Sequence, residues 1–236
     1  MTAEIELWFY ARPDRTRSID ERHGEVMSRL AKIDGPFGFS GLDLPEAPDC
    51  GDGLVAVYST KLPTRGLKFI GDYAFRGAGY RYEDRASYDE HIRYQFKVTN
   101  KEIDYRRLLY LDFPKLVEAF AGYKAKLSYD IYSLYYQGGT NDENIVYNKL
   151  RENKELNVDG RNNIFTLYPS QFWDAELCVR ALGYGPEEVI ARLKGVCPMA
   201  IPLLDGVYMV LNDDPKITYE AYVEMNNTIK PVLGLI

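Results

Sequence analysis

Within the first thirty residues the hydrophobic pattern changes period, and that change sets the fold class. Glu4–Tyr10 (EIELWFY) opens with charged and apolar residues in alternation, the signature of a strand with one buried face. From Ile19 the apolar positions become Ile19, His23, Val26, Leu30 and Ile33, spaced by fours and threes, which is one stripe of a helix. Ser18 and Glu21 spell the capping box that satisfies the first-turn donors of such a helix. A chain that interleaves these two periods is neither all-helical nor all-β.

The rest of the chain continues the mixture. LVAVYST from Leu54 and HIRYQFKVT over His91–Thr99 read as strands, the second with Ile92, Tyr94, Phe96 and Val98 on one face. Asp112 is placed to cap a helix bearing Phe113, Leu116, Val117 and Phe120, with Pro114 in its first turn. Residues 123–136 fit strand or helix, and helix continuation is the expectation; 141–163 read as a short helix plus a loop. IFTLY at 164–168 reads as a strand. Pro169-Ser170 then opens a helix with Phe172, Ala175, Val179 and Leu182 on one side and Gly183 as its stop. Pro186 starts another helix that Gly195 ends. Asp205-Gly206 marks a hairpin, because both central positions of such a turn favour positive φ. Thr218 caps a last helix that ends before Pro231. No repeat or linker interrupts the chain, so the expectation is one α+β domain over residues 1–236 with an antiparallel-rich sheet.

Motifs of catalysis and cofactor binding are missing. No P-loop, GxSxG or H-x-x-x-H occurs. Gly51-x-Gly53-x-x-Ala56 precedes a strand instead of opening a helix, which disqualifies it as a dinucleotide fingerprint. His23-Gly24-Glu25 has no P-C-x-x-C to complete a deaminase zinc site. His23 falls in a helix stripe, as a core or interface residue, and His91 stands beside Asp89 and Glu90 as a surface charge contact. Cys178 reads as core, and neither Cys50 nor Cys197 has a cationic neighbour to activate it. No cofactor, metal or catalytic residue is therefore expected. The start of the chain lacks a basic, then apolar leader, and no run of about 18 apolar residues occurs. The expectation is a cytoplasmic protein without a membrane partner.

Charge is more informative. The net charge of -6 argues against a dedicated nucleic-acid binder. It is also unevenly spread. Residues 34–60 hold five carboxylates and no Lys or Arg, and residues 205–224 hold five against Lys216 alone. Asp43, Glu46, Asp49, Asp52, Asp213 and Asp214 are the expected partner-binding residues, forming a negative face that steers a basic protein. Twenty tyrosines and ten phenylalanines suit both a wet core and a binding surface. A competing expectation is a small-substrate enzyme in which Tyr73, Tyr80 and Tyr82 line a pocket among Gly71, Gly77 and Gly79. A third is a non-inhibitory adaptor of a secretion apparatus.

Certain residues carry a family resemblance. They are Phe113-Pro114-Lys115 with Phe120 and Tyr123, Phe172-Trp173-Asp174 with Cys178 and Ala181-Leu182-Gly183, and Asp205-Gly206-Val207-Tyr208. In these the chain resembles bacterial immunity proteins of polymorphic toxin and type VI secretion systems, in particular the immunity protein 52 family, most closely over 105–236. The resemblance implies a non-enzymatic inhibitor that binds a cognate toxin, with a DNase as the toxin. It transfers no contact residues.

Overall fold

The computed structural model describes residues 4–14, 16–49, 55–74, 89–138 and 144–236. Asp52, Cys50, the Gly51/Gly53 pair, Gly77, Gly79, Tyr80 and Tyr82 lie outside the described residues. Among those described, eight strands form one open sheet: β1 (Glu4–Ala11), β2 (Val55–Lys61), β3 (Lys68–Ala74), β4 (Glu90–Lys97), β5 (Lys124–Tyr129), β6 (Ser170–Trp173), β7 (Met199–Leu203) and β8 (Gly206–Val210). Their spatial order is β2-β3-β4-β1-β5-β6-β8-β7, and every neighbouring pair is antiparallel. This is the expected α+β class. The helices are α1 (Ile19–Leu30), α2 (Tyr105–Arg107), α3 (Phe113–Phe120), α4 (Asp130–Tyr136), α5 (Ile145–Glu152), α6 (Ala175–Leu182), α7 (Pro186–Leu193) and α8 (Tyr219–Leu233).

Alternation along β1 divides the sheet into two unlike faces. Ile5, Leu7 and Phe9 are buried, and they pair with Phe96, Tyr94 and Ile92 of β4 and with Tyr129, Leu127 and Ala125 of β5. Phe9 meets Phe113 at 5.1 Å between ring centroids, and Phe113 stacks on Tyr208, so this apolar face packs against α3. Tyrosine is largely a core residue: Tyr58, Tyr94, Tyr123, Tyr129, Tyr168, Tyr208 and Tyr222 are all buried. Several pass their hydroxyls to backbone carbonyls, as Tyr208 does to Leu109 at 2.6 Å. Glu6, Trp8 and Tyr10 point to the opposite face.

The capping box at Ser18 and Glu21 forms as expected, with Ser18 N–H donating to Glu21 Oε2 at 2.8 Å. Other local expectations are corrected. Asp112 makes no cap bond, because a π-helical turn over Leu108–Asp112 runs straight into α3 and Phe113 N–H already donates to the Leu108 carbonyl. Asp112 instead accepts from Arg107. Residues 124–129 form a strand, not a helix continuation: Ala121 adopts a left-handed cap (φ 54°) and the chain reverses into β5. Residues 164–168 are irregular, and the strand follows at Ser170–Trp173. The next helix starts only at Ala175, capped by Asp174, which accepts from Leu177 N–H at 2.7 Å. It buries Leu177 and Cys178 and leaves Val179 exposed. The β7–β8 hairpin turns on Leu204-Asp205, and positive φ falls on Leu204. Gly206 has a different reason to be glycine, since a Cβ there would stand 2.1 Å from the Trp173 carbonyl oxygen. Helix α8 continues through Pro231 to Leu233.

Candidate functional site

The polar face of the central strands carries a continuous network. Trp8 Nε1 donates to Glu6 Oε2 at 2.9 Å, and Arg93 donates to the other Glu6 oxygen at 3.3 Å while lying over the Trp8 ring. Trp8 stacks on Tyr10 with rings 2° from parallel, and His91 packs 4.8 Å from Trp8. His91 Nδ1 approaches the Asp72 carboxylate on β3 at 3.1 Å, and its contact with its sequence neighbour Asp89 is to the backbone carbonyl at 3.5 Å. These pairings follow from the register, which sets Arg93 opposite Trp8 and His91 opposite both Tyr10 and Asp72.

Two carboxylates, the largely covered Asp159 (13% side-chain exposure) and the buried Asp89, organise the segment 157–168 against this face. Lys124 Nζ donates to the Asp159 carbonyl at 2.6 Å and approaches its carboxylate at 3.4 Å, and Tyr168 donates to Asp159 Oδ2 at 2.9 Å. Lys126 donates to the Tyr168 hydroxyl at 3.0 Å. Burial pushes the Asp159 pKa upward, but Lys124, Lys126 and the hydroxyls of Tyr168 and Thr166 more than offset it, so the net shift is downward. The second carboxylate, Asp89, accepts from Arg161 Nε at 2.6 Å and from the Tyr123 hydroxyl at 2.5 Å, with all three side chains buried.

The lowered Asp159 pKa has a pH signature. A carboxyl depressed on folding contributes stability fully above its unfolded pKa of about 3.9, and loses it as pH falls through the lower folded value. Asp159→Asn should therefore flatten the stability curve below about pH 4 relative to the parent. Urea unfolding across acidic pH reads this directly, and parallel acid limbs in the two proteins would remove Asp159 from the account.

The acidic residues named from sequence fall into two places. Asp43, Glu46 and Asp49 are exposed on the loop after α1, together with Leu44, which is 41% exposed. That loop is anchored twice. Phe37 and Phe39 are buried in the core, and His23 Nε2 bonds the Pro45 carbonyl at 2.7 Å. Because a carbonyl can only accept, Nε2 carries the proton, and His23 Nδ1 accepts from the Tyr73 hydroxyl at 3.1 Å. His23 is thus a fully bonded interior residue. Asp213 and Asp214 are exposed on the β8–α8 loop, where Asp213 accepts from Tyr110 at 2.9 Å and Asp214 closes a turn on Lys216 N–H.

The two loops are tied to opposite ends of the sheet. The contacts of Pro45 lie beside Tyr73, level with Ala11, whereas Pro215 meets Tyr129, which pairs with Ile5. Ile5 and Ala11 are about 20 Å apart along an extended strand. Among the described residues, Asp43, Glu46 and Asp49 are thus not side by side with Asp213 and Asp214.

Of the residues named for an enzymatic pocket, Tyr73 is buried, stacked on Tyr58 and engaged with His23. Gly71 is small because the Tyr58 ring fills its Cβ position at 2.3 Å. Burial pushes the Cys178 thiol up to about 12, and Asp174 and Asp205 add to the shift, so it stays protonated. Burial also raises Cys197. No cluster of three or more potential metal ligands occurs among the described residues, and none of their helices is long and apolar enough to cross a membrane. Arg161, Asp159, Lys124 and Leu44 were not singled out by sequence, and Asp89 was named only as a neighbour of His91. The one hint was Lys124, Lys126 and Ser128 recurring at period two in a stretch read as helix.

The fold and its surface define an α+β protein on an open antiparallel sheet, one face apolar, the other polar, with an anchored acidic loop at one end. Among solved structures the chain is similar to a T6SS protein of Pseudomonas aeruginosa, with a TM-score of 0.46 and 12% identity over 98% of this chain and 73% of that one. No family model and no curated protein matches the chain.

Proposed function

We propose that this protein is an immunity protein: a stoichiometric, non-enzymatic inhibitor that binds and neutralises a bacterial toxin in the cytoplasm. The toxin is a nuclease effector of a type VI secretion or polymorphic toxin system. Its DNA-binding face must be basic, so an acidic inhibitor meets it with favourable charge. The observation that carries the reading is the anchored loop. Asp43, Leu44, Glu46 and Asp49 are exposed on one loop whose backbone is already held at Pro45, so little ordering cost remains when a partner docks. Asp52 extends the same acidic stretch, and Asp213 and Asp214 act at a distance by steering.

Co-expression with a candidate toxin from a neighbouring gene tests the function, followed by co-purification on a sizing column. Rescue of growth with a stoichiometric complex is the expected outcome. Rescue without a complex points to an enzyme that repairs the damage, and no rescue from an active toxin sinks the pairing. Within the complex, reversing Asp43, Glu46, Asp49 and Asp52 to lysine should slow association at least about tenfold at low salt and flatten its salt dependence. Reversing Asp213 and Asp214 alone should have a smaller effect. Unchanged association kinetics for the fourfold variant would place the interface elsewhere.

A further inference from the structure

Where β1 ends at Ala11, a cleft of about 250 Å³ opens between α1 and the end of α3, and four arginines reach into it. Three of them are already engaged. Arg12 pairs with Asp174 at 2.6 Å, Arg17 with Asp14 and Glu25 at 2.6 and 2.7 Å, and Arg22 with Glu90. Arg29 differs. It sits one helical turn beyond Val26 on the same side of α1 as Arg22, its Nε is buried, and that N–H has no acceptor. No carboxylate among the described residues pairs with it. Buried donors in folded proteins are almost always satisfied, by protein, by water or by a ligand. The cleft thus presents one uncommitted guanidinium beside three that are neutralised.

The chemistry of the walls selects the ligand. Asp14, Glu25 and Glu90 also line the cleft but are already paired with Arg17 and Arg22, so the charge left over is that of Arg29, which balances one negative charge and not the two of a phosphate dianion. A carboxylate brings a single charge, and its planar pair of oxygens matches the planar donors of a guanidinium. We propose that the Arg29 cleft is a binding site for one carboxylate group, supplied either by a small organic acid or by an Asp or Glu side chain of a partner protein. The site is separate from the acidic loop, and its test does not depend on the toxin.

The resonance of Arg29 Nε–H in a ¹H–¹⁵N spectrum reports the site directly, with its loss in Arg29→Gln giving the assignment. Two probes separate the sources: sodium acetate, and glutamate blocked at both ends as N-acetyl-glutamate methylamide, with sodium chloride at equal ionic strength as the reference. A saturable shift with acetate alone assigns the cleft to small acids. A saturable shift with both probes assigns it to a protein side chain. No saturable shift with acetate, or the same shift with chloride, overturns the proposal. As a second readout, acetate should raise the Tm of the parent protein, and that rise should vanish in Arg29→Gln. Should that variant not fold, Arg29→Lys keeps the charge but loses the Nε–H and the planar fork, and should weaken the acetate response at least tenfold.

Discussion

Replacing Arg161 by methionine should cost about 3–5 kcal/mol and lower the Tm by roughly 6–20 °C. Arg161 is 2% exposed, and its Nε donates to the buried carboxylate of Asp89, which also takes the Tyr123 hydroxyl. Removing the guanidinium leaves a negative charge in the interior with one neutral donor beside it. The penalty arises from that stranded charge more than from the loss of attraction. The pair joins positions 72 residues apart, the loop segment at 161 and the residue just before β4, so both move if it fails. The control is the double variant Asp89→Asn with Arg161→Met, which removes the charge as well and should regain most of the loss. Thermal and urea melts of the three variants decide the matter. A single variant within about 1 kcal/mol of the parent would mean that water reaches Asp89 and replaces the arginine.

Gly122→Ala is the second substitution with a large expected effect. A Cβ at this position would lie 2.1 Å from the Tyr10 carbonyl oxygen and 2.9 Å from Phe120 Cδ1, in the turn between α3 and β5. The obstacle is backbone, so it cannot swing aside as a flexible side chain does. Relief requires parting the ends of β1 and β5, which breaks the 2.9 Å bond from Tyr123 N–H to that same carbonyl. A loss of about 1–3 kcal/mol follows. Gly24→Ala supplies the opposite case. It sits within α1 with nothing inside 4 Å of its would-be Cβ, so the same change should stabilise by about 0.5–1 kcal/mol. Chemical denaturation of both variants gives the two signs. Equal effects at the two positions would refute the packing argument.

The elements legible in sequence are those whose signals are local. The Ser18/Glu21 box, the alternation of Ile92, Tyr94 and Phe96, and the Gly183 and Gly195 stops act within a few residues, and each stands where it was expected. Signals that depend on a neighbour beyond the element misled. Asp112 has the right type for a cap, yet the helix before it removes the need. Phe172 and Val179 suggested a helical stripe, but Phe172 belongs to β6, where it pairs with Ala125 and Tyr208. Pro231 reads as a stop, and α8 tolerates it in its last turn. The buried ion pairs were invisible for a simple reason. Lys124 meets Asp159 and Arg161 meets Asp89 only after the sheet has brought distant segments together. Carboxylate identity says nothing about which of thirty-five will be interior.

Beyond the buried rings of Phe37 and Phe39, the grip on the acidic loop is made through a main-chain oxygen. His23 holds the Pro45 carbonyl, not any side chain between Asp43 and Asp49. A carbonyl is supplied by every residue type, so the outward side chains of Asp43, Leu44 and Glu46 can be exchanged without unhooking the loop at Pro45. The scaffold and the surface it displays are thereby uncoupled. A new recognition surface can be drawn on the old frame, one substitution at a time, each leaving the fold as it was.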